Sequence, residues 1–300
     1  MIRRLKYHEI DFEKYRLCLE NSEQRKYSAT RIFLDVTARK NWEILVFNDY
    51  EAVMPIPFIR KLGVKLVVNP KLCQQLGVFS EKDDIELNDS FLDFFEKKYN
   101  VWYYAFNDTN TFSKPLKKRN NFLILPQAYE IVRQKYSPKR KRKLRLDEDV
   151  LMTSEVKNIT MEEAYPFISK NLIGAKHEGD KQVYLDIFND FSNSGKLKIT
   201  AFVYKNEIIN AIAVYYDEKS LALLGTFNEK DFVKLSGSSV IIDRVIKENI
   251  EDRIFDFEGS EIPSIEEFFR GFRPELRPYS VVWNSKKEIA AGLLNIRKYL

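Results

Sequence analysis

The sequence predicts a mixed α/β protein built from two similar halves, and three observations predict it. Each half reads in the order helices, β-hairpin, strand, helix, strand, an order that places a mixed sheet between helices. The two hairpins superpose at an offset of 157 residues, which carries Val46 onto Val203, Phe47 onto Tyr204 and Phe58 onto Tyr215. A chain of 300 residues with 44% hydrophobic content can also fill two cores, since domains run to roughly 100–200 residues.

In the first half, helical patterns run from Phe12 to Leu19 and from Thr30 to Arg39. Residues 42–58 then form two apolar runs joined at Asn48-Asp49, a turn-forming pair, which reads as a hairpin. Lys65 to Val68 supplies the following strand. The second half repeats the plan with helices from Met161 to Lys170 and from Gln182 to Ser192, and a hairpin over 199–216 turning at Lys205-Asn206. Leu221 to Leu224 follows as a strand. Ser137-Pro138 caps and starts a helix, so the joint is expected there, giving domains 1–136 and 137–300. A last helix, Ser285 to Leu300, carries Ile289, Leu293, Ile296 and Leu300 at helical spacing, so one face needs a partner.

Composition narrows the chemistry. The net charge of +5 sets 49 basic against 44 acidic residues, so any basic patch is local. There are 10 glycines, with Gly63 and Gly77 alone in residues 1–150, and neither GxGxxG nor GxxxxGK[ST] occurs. Glycine-rich dinucleotide folds and P-loops are therefore disfavoured. The charged start Met1-Ile-Arg-Arg-Leu-Lys lacks the apolar core of a signal peptide, and the reading is a complete cytoplasmic chain. Cys18 and Cys73 are too few for a metal quartet or a disulfide framework and read as buried thiols. His8 and His177 are the only histidines, with no marked triad partner, and a metal site at His177, Glu178 and Asp180 is the weaker reading. Trp42, Trp102 and Trp283 fall in apolar strand patterns and are expected in the core.

The densest chemical signal is Phe255-Asp-Phe-Glu-Gly-Ser-Glu261, followed by Phe268-Phe-Arg-Gly-Phe272 and Pro278-Tyr279. This stretch resembles the DFEGS, FFRGF and PY signature of Fem-type peptidyltransferases and their GNAT-like (N-acyltransferase) relatives in bacteria. Ser137-Pro-Lys-Arg-Lys-Arg-Lys-Leu-Arg145 and Gln74-Gln-Leu-Gly77 are similar to further pieces of that family. The resemblance implies two tandem GNAT-like domains, an acyl- or aminoacyl-transferase acting on an amine acceptor, and no metal. It further implies an acyl-CoA or charged transfer RNA as donor, lying where the sheet splays between strands 220–226 and 253–257. In some relatives the C-terminal segment returns to the first domain.

Carried over residue by residue, the resemblance makes Gly225, Lys234, Gly237, Ser238 and Ser239 cofactor-binding. Gly225 suits a β-bulge that opens the gap. The run Lys234-Leu-Ser-Gly-Ser-Ser239 departs from the acyl-CoA loop [Q/R]-x-x-G-x-[G/A] at its first and last positions, and a small-residue helix start needs no ligand. Asp256 and Glu258 are the candidate bases, alternating with Phe255 and Phe257 so that both carboxylates share one strand face; the competing role is a turn cap or a pair with Arg270 or Arg273. Arg140, Arg142 and Lys143, in a run of eight basic residues from Arg133 to Arg145, would draw in an anionic acceptor or transfer RNA. Arg270-Gly271 would turn beside the acceptor pocket. The alternative function is a non-catalytic binding or scaffold module that keeps the duplicated fold.

Overall fold

The computed structural model describes residues 1–61, 63–175 and 177–289. In chain order its elements begin with β1 Ile2–Leu5, α1 Phe12–Asn21, α2 Arg31–Thr37, β2 Trp42–Phe47, β3 Ala52–Lys61, β4 Val64–Val68, β5 Phe79–Ser80, α3 Ile85–Lys98 and β6 Val101–Ala105. There follow β7 Lys117–Ile124, α4 Tyr129–Lys135, α5 Pro138–Lys143, α6 Glu148–Thr153, β8 Ser154–Ile159, α7 Met161–Asn171, α8 Glu178–Asn193, β9 Leu197–Tyr204, β10 Glu207–Tyr216 and β11 Ser220–Asn228. The series closes with α9 Gly237–Asn249, β12 Ile254–Asp256, α10 Pro263–Arg270 and β13 Glu275–Trp283.

Local chemistry accounts for the ends of these elements. Asp11, Thr30, Asp84, Ser137 and Thr160 each accept a backbone N–H at a helix N-terminus, satisfying donors the helix cannot. The β9–β10 hairpin turns on two residues, Lys205 (φ 49°) and Asn206 (φ 67°), the left-handed pair that matches strand twist. The β2–β3 turn is two residues longer and uses positive φ at Asn48 and Tyr50.

The chain forms two compact units, residues 1–120 with 278–300, and residues 121–277. In the first, the strands lie in the order β1-β2-β3-β4-β6-β13, with β5 on β3. In the second the order is β8-β9-β10-β11-β12-β7. Both sheets are antiparallel up to a single parallel pair, β4 with β6 and β11 with β12, and each then closes on an antiparallel strand. The repeat inferred from the hairpins thus extends to the sheet order.

The closing strands depart from a simple head-to-tail repeat. β7 follows β6 in sequence but pairs with β12, while β13 follows β12 but pairs with β6 through Val281↔Ala105 and Trp283↔Tyr103. The boundary accordingly falls at 120/121 instead of the 136/137 expected from the helix start at Pro138. The physical reason is burial: Phe122, Ile124, Tyr129, Val132 and Tyr136 share one core with Phe255, Phe257, Phe269 and Phe272. The expected helix 285–300 starts at Ser285, where Ser285 and Glu288 cap each other, and its residues from 290 lie outside the described set.

Of the three tryptophans expected in the core, Trp42 is buried at 1% exposure, but Trp102 and Trp283 are 37% and 50% exposed. An apolar strand pattern does not say which end of the strand emerges from its sheet, and Trp283 is the last residue of β13. Both thiols are free, with Cys73 buried and Cys18 intermediate; burial pushes the Cys18 thiol up to about 11.

Candidate functional site

The second unit contains an open seam in its sheet. β11 and β12 pair at Ser220↔Ile254, Leu221↔Phe255 and Ala222↔Asp256, after which β11 runs on to Asn228 without β12 beside it. A register shift against β10 falls between Ala213 and Val214, opposite Gly225 and Leu223. A side chain at Gly225 would come within 2.6 Å of the Phe227 ring, so glycine suits the bulge at this place. In the first unit the matching place is filled by the chain itself. Beyond β4, Asn69 N–H donates to Tyr103 O at 3.1 Å and Leu76 N–H to Ala105 O at 2.8 Å, while Gly77 N–H donates to the Tyr104 hydroxyl at 3.0 Å. The Gln74 to Gly77 segment is this filling.

At the far end of β11 the chain enters α9. Its N-cap, Ser236, has φ 62° and no side chain caps the helix. Gly237, Ser238 and Ser239 are buried, and Lys234 is exposed. A Cβ at Gly237 would overlap the side-chain oxygen of Asn210, so glycine is required there by packing on β10. Asn210 is 2% exposed; its Nδ2 donates to Asn228 Oδ1 at 2.8 Å and to Ser238 Oγ at 3.2 Å, and its Oδ1 has no hydrogen-bond partner among the described residues. An uncapped helix N-terminus favours an anion through its free N–H groups and its dipole.

The basic segment meets this helix start in two ways. Lys143 Nζ lies 3.5 Å from Ser236 Oγ, and burial, with Arg140, Lys139 and Arg142 nearby, lowers its pKa. Arg142 is exposed. Arg140, however, is 4% exposed and meets groups of the fold itself. Its guanidinium donates to Ser239 Oγ and, at 2.7 Å, to Phe268 O, and lies 4.2 Å from the ring centroids of both Phe268 and Phe272. Burial pulls its pKa down to about 10. Gly271 leaves room for it, since a Cβ there would sit 3.0 Å from Nη2. Arg270 pairs with Glu266 at 2.6 Å on the exposed side of α10. The FFRGF segment thus wraps a buried arginine that ties α5 to α9.

Asp256 and Glu258 do not share one strand face. β12 ends at Asp256, and Glu258 (φ 63°) and Gly259 (φ 59°) turn through left-handed conformations, so the alternation expected from the sequence stops one residue early. Phe255 and Phe257 both enter the core, with ring centroids 4.9 Å apart. Asp256 is 3% exposed; its Oδ1 accepts the Glu258 N–H at 2.8 Å and its Oδ2 accepts Asn121 Nδ2 at 3.3 Å. Glu258 is half-buried.

The sequence reading passed over Asn121, Asn210 and Asp243. Two had a signal, Asn210 as a lone asparagine inside an apolar strand run and Asp243 as an aspartate within an apolar helix, whereas Asn121 follows Asn120 at the polar end of its strand. Asp243 on α9 accepts the Tyr129 hydroxyl at 2.9 Å, and burial raises its pKa against that bond. His177 caps α8, accepting the Asp180 N–H, and no cluster suited to a metal ion occurs among the described residues. No helix among them is long and apolar enough to cross a membrane.

No protein-family model and no curated protein matches the sequence. Solved structures do match. The chain is similar to FemX at 9% identity and a TM-score of 0.65, covering 92% of this chain and 96% of that one. It is similar to a conserved protein of unknown function from Bacteroides thetaiotaomicron at 10% identity and a TM-score of 0.57, covering 95% and 100%. A tandem GNAT protein from the clavulanic acid biosynthesis pathway matches at 8% identity and a TM-score of 0.53, covering 94% and 97%. With its mixed sheets, repeated strand order and seam, the chain has the tandem acyltransferase fold of the Fem-type and GNAT-like proteins.

Proposed function

We propose that the second unit transfers an acyl or aminoacyl group to an amine. The observation that carries this reading is the seam, three paired positions followed by a free run of β11 leading to the uncapped start of α9. A donor arm lies in the seam, and its phosphate groups meet the N–H groups of Gly237 and Ser238 at the start of α9, with Lys234 and Lys143 supplying positive charge. The amine nitrogen attacks the donor carbonyl, the new C–N bond forms, and the thioester or ester bond breaks as its sulfur or oxygen leaves. Glu258 takes the proton that the nitrogen must shed. Arg142 draws in the anionic portion of acceptor or donor, while Arg140, Arg270 and Gly271 shape the wall behind it.

Calorimetric titration with acetyl-CoA, free CoA and an uncharged transfer RNA pool, each at low and moderate salt, tests the reading. Micromolar binding of the CoA species identifies an acyl-CoA user. RNA binding that weakens steeply with salt identifies the aminoacyl branch, because phosphate contacts release counterions. Silence from all three overturns the proposal in favour of a non-catalytic module.

A further inference from the structure

A buried asparagine contacts the first of the two carboxylates of the DFEGS segment. Asn121 on β7 is fully buried at 0% exposure. Its Nδ2 points to Asp256 Oδ2 at 3.3 Å, and its Oδ1 has no hydrogen-bond partner among the described residues. Asparagine is poorly suited to a strand interior, and a buried carbonyl without a donor weakens the fold. The carboxylate fixes the amide's orientation, since the reverse would set oxygen against oxygen. The turn that follows is also held out of its relaxed state, because Glu258 is a non-glycine residue at φ 63°, a conformation that persists where surrounding groups over-determine it.

We propose that Asn121 is a positioning residue of the transfer site. By holding Oδ2 of Asp256 it presents Oδ1 to the Glu258 N–H, and the two bonds together lock the left-handed turn that aims the Glu258 carboxyl. Asp256 is then part of the support, and Glu258 is the group that meets the acceptor amine. This inference rests on the reading of Glu258 as the base.

The test is Asn121→Leu, close to asparagine in size and without polar atoms, followed by amide hydrogen exchange and by transfer kinetics. The expected result is exchange at the Glu258 amide at least tenfold faster, with the Phe257 amide unchanged because Phe122 O holds it at 3.0 Å. The melting temperature falls by a few degrees as the buried Asp256 Oδ2 loses its donor, while kcat falls tenfold or more, donor KM stays within twofold, and the acidic limb of the pH–rate profile moves. Unchanged exchange at Glu258 overturns the proposal, as does faster exchange with unchanged kcat. Glu258→Gln reports separately on the underlying reading. Full turnover in that variant removes Glu258 as base, whereas the exchange result stands on its own and requires no activity.

Discussion

Arg140 shows how one residue can be misread from its neighbours. It belongs to a run of eight basic side chains, and such runs are usually solvated, yet it is buried between two phenylalanine rings. Its cation lies 4.2 Å from each ring centroid and donates to Ser239 Oγ and Phe268 O, a role that lysine cannot fill. Arg140→Met should cost about 1–3 kcal/mol, mainly through the buried acceptors left unmet, and Arg140→Lys at least as much. Urea unfolding checks both, and a lysine variant of parental stability would show that charge alone suffices.

Asp243 supplies a pH signature. Its folded-state pKa is raised by burial above the usual aspartate range, so the folded chain binds this proton more readily than the unfolded one. Stability from this group is therefore present at low pH and is lost as pH rises from about 3.8 through the folded pKa. In Asp243→Asn that component is absent, so the stability of the variant relative to the parent should improve as pH rises through the range. Melting curves at a series of pH values measure it; a constant difference would refute the assignment.

At the scale of elements, most of the architecture was legible. The hairpins, with their turns at Asn48 and Lys205-Asn206, and the helices near 12–21 and 161–171 announced themselves through apolar period and turn chemistry. So did the bulge at Gly225 and the helix start at Ser137-Pro138. What stayed hidden was partnership. A strand's period says nothing of which strand lies beside it, so β7 and β13 were not assigned to their sheets. The candidate site was legible in the same partial way: the DFEGS and FFRGF motifs marked the segment proposed for it, but the early end of β12, the burial of Arg140 and the contact of Asn121 with Asp256 depend on residues over 100 positions apart. The β9–β10 turn offers a direct prediction. Lys205 sits at φ 49°, where glycine or asparagine is better suited, so the change Lys205→Asn with Asn206→Gly should stabilise the fold by about 0.5–1 kcal/mol. A higher melting temperature is the expected readout, and a lower one would mean that the Lys205 side chain matters beyond the turn.

For the whole molecule, the crossed closing strands govern how the chain can be divided. A chain ending at Arg277 lacks the strand that pairs with β6 and the Ser280 carbonyl that accepts Phe106 N–H at 2.9 Å, together with Tyr279 and Val281 beside Ala105. Limited proteolysis of that truncation should cut within 1–120 first and spare 121–277, because the second unit keeps all six of its strands. Equal resistance of both regions would show that β13 is dispensable.

The same crossing reverses the usual order of birth. During synthesis an N-terminal domain ordinarily folds first, as ribosomes add roughly 5–20 residues per second. Here the first unit is not complete until the residues around Val281 that pair with Ala105 have been made, a wait on the order of ten seconds after its own first 120 residues. The later-made unit can finish before it, leaving the edge of β6 open on the nascent chain for that interval.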